Sequence, residues 1–332
     1  MALPSSGQIT LNQVNVELGL SGTAQIGMND AAVRALFGIA SGEIEMSDGY
    51  GKSSETTLTS AGNVNGQAQR QQITVSDFIS SGGTLVIPST IWVWSDSTST
   101  PALTIDVPCT IRNEGKIIGK GGTSAASLGS APQAGGPAIK INSGVSSVTI
   151  QNQSGAYIAG GGGGGRTGRR SANGVYGGGG GGAGGGAGGP QNGWGGAGGA
   201  LNATGANGFA YVGGDWFGRG GGSGGAGAFG NHYNQNNNGG GGGGRILPGT
   251  GGVRWQQGYD GAGGGSGGSA GAAGQKAGTD SGWVVGGGGG GGGWGAAGGL
   301  SNTGAGAAGG KAVDDSGVTY TLSNSGTIYG GT

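Results

Sequence analysis

The chain has 332 residues, with 15 basic and 15 acidic side chains and a formal net charge of zero. Glycine supplies 96 residues and charged side chains only 9%, against ordinary usage of about 7% and about 25%. This excludes a large aliphatic core and any field that gathers nucleic acid or anionic lipid. The single cysteine, Cys109, and single histidine, His232, exclude an intramolecular disulfide and a Cys/His zinc site.

Residues 1–54 read as a small attachment module of two short helices. Thr10 is placed as an N-cap with Gln13 completing a capping box, and Ile9 and Val14 stand at staple positions. Leu11, Val14 and Leu18 share one face, and Gly19 follows as a stop. Asn29 is expected to cap the second helix, where Met28 and Val33 staple, Val33, Leu36 and Phe37 face inward, and Gly38 ends the turn. Ile44 and Met46 suggest a short strand. Two helices of this size bury little alone, so Leu11, Val14, Leu18, Val33, Leu36 and Phe37 are expected to serve attachment to a partner surface. The opening residues lack a basic stretch followed by an apolar run, and no stretch approaches the roughly 20 apolar residues of a membrane span. The expectation is synthesis in a cytoplasm without export by the usual signal, and no membrane insertion.

Residues 55–72 are polar and read as a linker, and residues 73–159 as a β-rich layer or short β-solenoid. Strand signals occur at residues 84–87, 91–94 and 103–107. A motif then recurs: Thr110-Ile111-Arg112-Asn113 before Gly115, Thr149-Ile150-Gln151-Asn152 before Gly155, and Thr321-Leu322-Ser323-Asn324 before Gly326. Each copy reads as strand, Asn/Gly turn, strand, as in stacked rungs. The chain is therefore expected to leave the layer at Gly160 and return near Val318, with residues 311–332 as a returning C-terminal strand.

Residues 160–310 hold most of the glycines, in runs separated by inserts at 166–176, 200–219, 229–238, 245–260 and 275–285. The runs carry a period of three. Between 193 and 200 the non-glycines are Trp194, Ala197 and Ala200, and Gly286, Gly289, Gly292, Gly295 and Gly298 keep one phase free of side chains. Three residues per turn is the period of a polyproline-II-type helix, which has no internal hydrogen bonds and must pair its amides with neighbouring chains. Only glycine lets such chains approach closely. Glycine-rich sequence is often a flexible spacer. Here the small phase-three substitutions, the similar run lengths and the aromatic-rich inserts oppose that reading.

No catalytic constellation is apparent. Asp314-Asp315 reads as a solvated turn, His232 lies in a polar loop without triad partners, Gly51-Lys52-Ser53 lacks the phosphate-loop context, and Cys109 reads as a buried small hydrophobe. No enzyme activity, cofactor or metal is expected. Three clusters carry the residue types of binding hot spots: Arg166, Arg169, Arg170 and Tyr176; Phe209, Tyr211, Trp216, Phe217 and Arg219; and Arg245, Arg254, Trp255 and Tyr259. They are expected to share one end of the glycine domain, with the 229–238 insert at the other. Trp194, Trp283 and Trp294, beside or within runs, are expected to pack on the domain itself.

Two resemblances follow. Leu3-Pro4-Ser5-Ser6-Gly7, Leu18-Gly19, Asn29-Asp30-Ala31-Ala32-Val33-Arg34 and Gly49-Tyr50-Gly51-Lys52 resemble a leader found on many tailed-phage tail proteins. The glycine runs with aromatic-rich inserts resemble the tip adhesins of T-even-type long tail fibres. That resemblance implies a sandwich of packed polyglycine-II helices whose end loops bind an outer-membrane protein or lipopolysaccharide. It implies a virion location, a mount on other tail proteins through residues 1–54, and a bacterial receptor as partner. A structural tail-tip or capping protein without receptor contact is the alternative, and an ice-binding or matrix protein is disfavoured by the bulky inserts.

Overall fold

The computed structural model describes residues 3–126, 130–169, 176–177, 179–188, 197–206, 208–212, 215–219, 237–238, 243–248, 269–274, 288–301 and 303–332. The first unit is the small module. Helix α1 (Leu11–Glu17) opens with the expected capping box: Thr10 Oγ1 accepts from Gln13 N, and Gln13 Oε1 accepts from Thr10 N. Helix α2 (Ala31–Phe37) ends at Gly38, whose φ of +77° suits a residue without Cβ. Its N-cap is Asp30, not Asn29; the Asn29 carboxamide oxygen instead accepts from Arg34 Nε at 2.9 Å. The expected strand near Ile44 is absent, because residues Met46–Gly49 form a 3₁₀ turn. Gly49 is required there: a Cβ would lie 2.6 Å from the Phe37 ring.

The segment read as a linker is the first turn of a β-solenoid. Its strands are β1 (Glu55–Thr57), β2 (Asn63–Val64), β3 (Gln67–Gln71) and β4 (Ile73–Thr74). Asn65 and Gly66 both have positive φ, +50° and +78°, and make the β2–β3 hairpin turn. Polar residues are tolerated because this is an end turn, with no rung stacked beyond it among the described residues. Arg70 stands in the inward column of that turn, donating through Nε to Thr59 O and lying over Phe78.

The second turn holds β5 (Thr84–Ile87), β6 (Trp92–Trp94) and β7 (Leu103–Ile105), and the third β8 (Cys109–Asn113), β9 (Lys116–Ile118) and β10 (Ile139–Ile141). The fourth begins with β11 (Val148–Asn152) and β12 (Tyr157–Ala159). The chain then makes its excursion, which contains β13 (Gly168–Arg169), β14 (Tyr176–Gly177), β15 (Gly208–Val212), β16 (Asp215–Arg219) and β17 (Asn237–Asn238). It returns at β18 (Val313–Asp314), earlier than Val318, and β19 (Tyr320–Asn324) with β20 (Thr327–Tyr329) begin the fifth turn.

Each turn feeds the same parallel sheets, in the orders β1-β5-β8-β11-β19, β3-β6-β9-β12-β20 and β4-β7-β10-β18. In-register pairing stacks like on like. Leu85, Ile111 and Ile150 form one inward column, and Val93, Ile117 and Ile158 another, all 0% exposed. Each such side chain contributes about 1.5–3 kcal/mol by burial. At the turn, Asn113 donates to Asn152 and Asn152 to Asn324, both at 2.8 Å, which explains the recurring Asn.

The glycine domain hangs from one corner of the solenoid. Residues 119–126 and 130–138, between β9 and β10, belong to it together with the described residues of the excursion between β12 and β18. Its centre is the run 160–166. The N–H groups of Gly161 and Gly164 donate to Gly136 and Gln133, those of Gly162 and Gly165 to Ala183 and Gly180, and those of Gly163 and Arg166 to Ala296 and Gly299. The carbonyls repeat the pattern: Gly161 and Gly164 accept from Gly310 and Ala307, Gly162 and Gly165 from Gly122 and Ala125, Gly163 and Arg166 from Gly292 and Gly289. Partners recur every third residue, and six segments surround the run. A Cβ on any residue from Gly160 to Gly165 would meet a backbone oxygen at 1.9–2.2 Å.

Candidate functional site

The central run starts at the solenoid, where Gly160 N donates to Tyr329 O, and carries the chain away to Thr167. Its far end is closed by a turn around Ser301, whose Oγ donates to Thr167 O at 2.7 Å. Thr303 Oγ1 also donates to Thr167 O, and the adjacent Leu300 is 49% exposed. Arg166 is half-buried here, with its Nε buried.

Beyond this end lies a further sheet in the order β13-β14-β17-β15-β16. Its backbone register places Arg169 opposite Tyr176, Tyr211 opposite Trp216, Ala210 opposite Phe217 and Gly208 opposite Arg219. Arg169 and Tyr176 of the first predicted cluster therefore share one sheet with the second cluster, in which Phe209 stands opposite Gly218. The 229–238 insert was expected at the opposite end. Instead Asn237 pairs with Tyr176 and Asn238 with Ala210, so this insert ends in the middle strand of the same sheet. Strand pairing, which counting of runs does not capture, overrides the alternation. Arg170, Arg254, Trp255 and Tyr259 lie outside the described residues, as do His232, Trp194 and Trp283.

Arg245 does not belong with the exposed loops. It is 3% exposed, its Nε donates to Gly184 O at 2.9 Å, and its guanidinium lies 4.5 Å from the Trp94 ring centroid. Burial pulls its pKa down to about 10, with Asp96 opposing. It sits in a seam where Trp92, Ile118 and Ala159 of the solenoid meet Leu201, Leu247 and Trp294 of the glycine domain. Trp294 is fully buried and donates through Nε1 to Ile246 O at 3.0 Å, as packing on the domain predicts. The seam went unread in the sequence, although Trp92 and Trp94, two residues apart on a strand and flanking inward Val93, signal an outer face that needs a cover.

In the N-terminal module, Val14, Val33, Leu36 and Phe37 are at most 9% exposed and form the module's own core with Leu3 and Ile9; Leu18 packs against it. These residues hold the module together and do not face outward. Of the predicted attachment residues Leu11 is exposed, at 39%, and it is joined by Val16, Leu20 and Tyr50, which the sequence reading did not pick out. A groove of about 450 Å³ runs between module and solenoid, lined by Leu18, Leu20, Ala32, Ala35, Phe78 and Ile79 among others, with no charged side chain.

The remaining candidates are structural. Cys109 is buried and its thiol pKa is pushed up to about 12 by burial. Asp314 pairs with Lys311 at 2.9 Å, and Ser53 Oγ donates to Glu17. Among the described residues no group of acidic, His or Cys side chains is placed to hold a metal, and no helix is long and apolar enough to cross a membrane.

The described residues form a coiled β scaffold from which a glycine-built excursion carries a sheet of insert residues. A family model described as "Phage tail fibre adhesin Gp38" matches residues 52–239, and the chain belongs to this family. It is accordingly a phage tail component with an adhesin role. Among solved structures it is similar to the gp37–gp38 adhesin tip complex of the bacteriophage S16 long tail fibre, at 21% identity and a TM-score of 0.44, over 98% of this chain and 99% of that one. No curated protein sequence matches it.

Proposed function

We propose that the chain recognises a bacterial surface receptor, an outer-membrane protein or lipopolysaccharide, through its aromatic and arginine-rich inserts. The observation that carries this reading is the gathering of Arg169, Tyr176, Phe209, Tyr211, Trp216, Phe217 and Arg219 into one sheet beyond the far end of the central run. Arg166, Arg170, Arg254, Trp255 and Tyr259 complete the contact set; Arg245 is withdrawn from it. The runs are polyglycine-II helices: the recurrence of hydrogen-bond partners every third residue supports that assignment. Binding requires no cofactor. Residues 1–54 mount the chain on other tail fibre proteins, and the exposed Leu11, Val16, Leu20 and Tyr50 with the uncharged groove beside them support an apolar contact.

The test is Trp216→Ala and Trp255→Ala in assembled phage. Loss of adsorption with intact, correctly composed particles is the expected result. Particles that fail to assemble would favour the alternative of a structural capping protein. Undiminished adsorption by both variants would remove these inserts from the receptor contact.

A further inference from the structure

Two segments cross the outer face of the β3-β6-β9-β12-β20 sheet, residues 197–206 and 243–248. They meet at a parallel bridge between Leu201 and Arg245. Polar bonds tie them to both sides of the seam. Asn65 Nδ2 of the solenoid hairpin donates to Leu201 O at 2.9 Å, Arg245 N donates to Ala203 O, Gly184 N to Gly244 O, and Gly243 N to Gly186 O. Arg245 stands at the crossing, between the Gly184 carbonyl and the Trp94 face. Trp94 is itself held by an indole N–H bond to Gln69 Oε1 at 2.7 Å. Gly185, at a φ of +81°, leaves the space: a Cβ there would lie 2.6 Å from Arg245 Nε. A guanidinium suits such a place, because it stacks on an aromatic ring while its edge donates. A residue this buried has no surface left for a receptor.

Both segments continue directly into inserts. Residues 197–206 lead to the β15–β16 hairpin, and residues 243–248 lead to the insert holding Arg254, Trp255 and Tyr259. We infer that Arg245 is a positioning residue, which locks these two segments against Trp94 and thereby fixes the roots of two receptor-contacting inserts. Its link to adhesion rests on the proposed function; the locking does not.

The experiment uses the whole chain with Arg245→Lys, and Trp94→Phe as a second variant should the first not fold. Lysine keeps the charge but loses the planar edge that stacks and donates at once. Two readouts are taken: amide hydrogen exchange at Gly184, Gly199, Gly243 and Arg245, and adsorption to host cells. The expected result is exchange at these amides accelerated on the order of tenfold, unchanged exchange at Gly161–Gly165, and a parallel fall in adsorption. Lost adsorption with full protection would overturn the inference, since Arg245 would then be a direct contact. Unchanged exchange, or loss of protection throughout the chain, would overturn it too. Should Trp216→Ala and Trp255→Ala adsorb normally while Arg245→Lys still loses local protection, the lock stands and the insert reading falls.

Discussion

The solenoid and the central glycine run solve the same problem in opposite ways. In the solenoid, strands pair along the edge of each sheet, and columns such as Leu85, Ile111 and Ile150 fill the interior with side chains. In the run 160–166 there is no interior for side chains: backbone meets backbone in six directions, and partners recur every third residue. The first region is ordered by apolar mass. The second is ordered by the absence of Cβ atoms, with each ordered glycine losing more chain freedom than any other residue, offset by amides paired on all sides.

That contrast breaks first at the glycine run. Gly161→Ala places a methyl 1.9 Å from Lys120 O, a backbone atom with nowhere to move. The expected cost is about 3 kcal/mol or more, seen as lost amide protection across the glycine runs while the solenoid amides stay protected. Simultaneous loss in both regions would mean that they unfold as one unit. In the solenoid the same logic runs in reverse: Ile111→Ala removes mass from a fully buried site and is expected to cost about 2–5 kcal/mol by denaturant unfolding. A smaller effect sharpens the border between the regions. Lys120, at the corner where the glycine segments leave the solenoid, has its pKa pulled down to about 8 by burial, with Arg245 adding to the shift and Asp96 opposing it. The folded protein thus binds this proton less tightly than the unfolded chain. The associated stability is present above the ordinary lysine value near 10.5 and is lost as pH falls through about 8. Lys120→Met is expected to raise the melting temperature at pH 7 and to lose that advantage as pH rises toward 10.5; a constant difference across this range would place its cause elsewhere.

Much of the solenoid was legible. Alternation around Ile111, Ile150 and Leu322 and the repeated Asn marked the rungs, because in-register stacking demands the same residue at the same place. The first turn escaped because an end turn stacks on one side only, so its polar residues mimic a linker; Asn65-Gly66 was the signal that a hairpin lay there. In the glycine domain the period of three is visible where small residues interrupt the glycines, as at Ala197 and Ala200. The central run meets backbone on every side, so Gly160–Gly165 is pure glycine and carries no period at all. Which segments neighbour it is decided by hydrogen bonds between distant residues, as is the fate of Arg245, buried by a tryptophan from another domain. The capping box of α1 was local and readable; the outward face of the module was not, since its apolar residues divide between its own core and its surface.

The place where the arm joins the coil has a consequence for how such tips change. Gly310 N donates to Gly161 O at 2.7 Å, so the outgoing and incoming strands of the long excursion run side by side. The described residues between them are held at these joints and again along the seam, where Leu201, Leu247 and Trp294 pack with Trp92 and Ile118 and Asn65 donates to Leu201 O. A recombination event that swaps this stretch for another of different length has to restore the two joints and also a cover for Trp92 and Trp94. Length is free to vary between these fixed contacts, and the contacts themselves constrain what can replace the stretch.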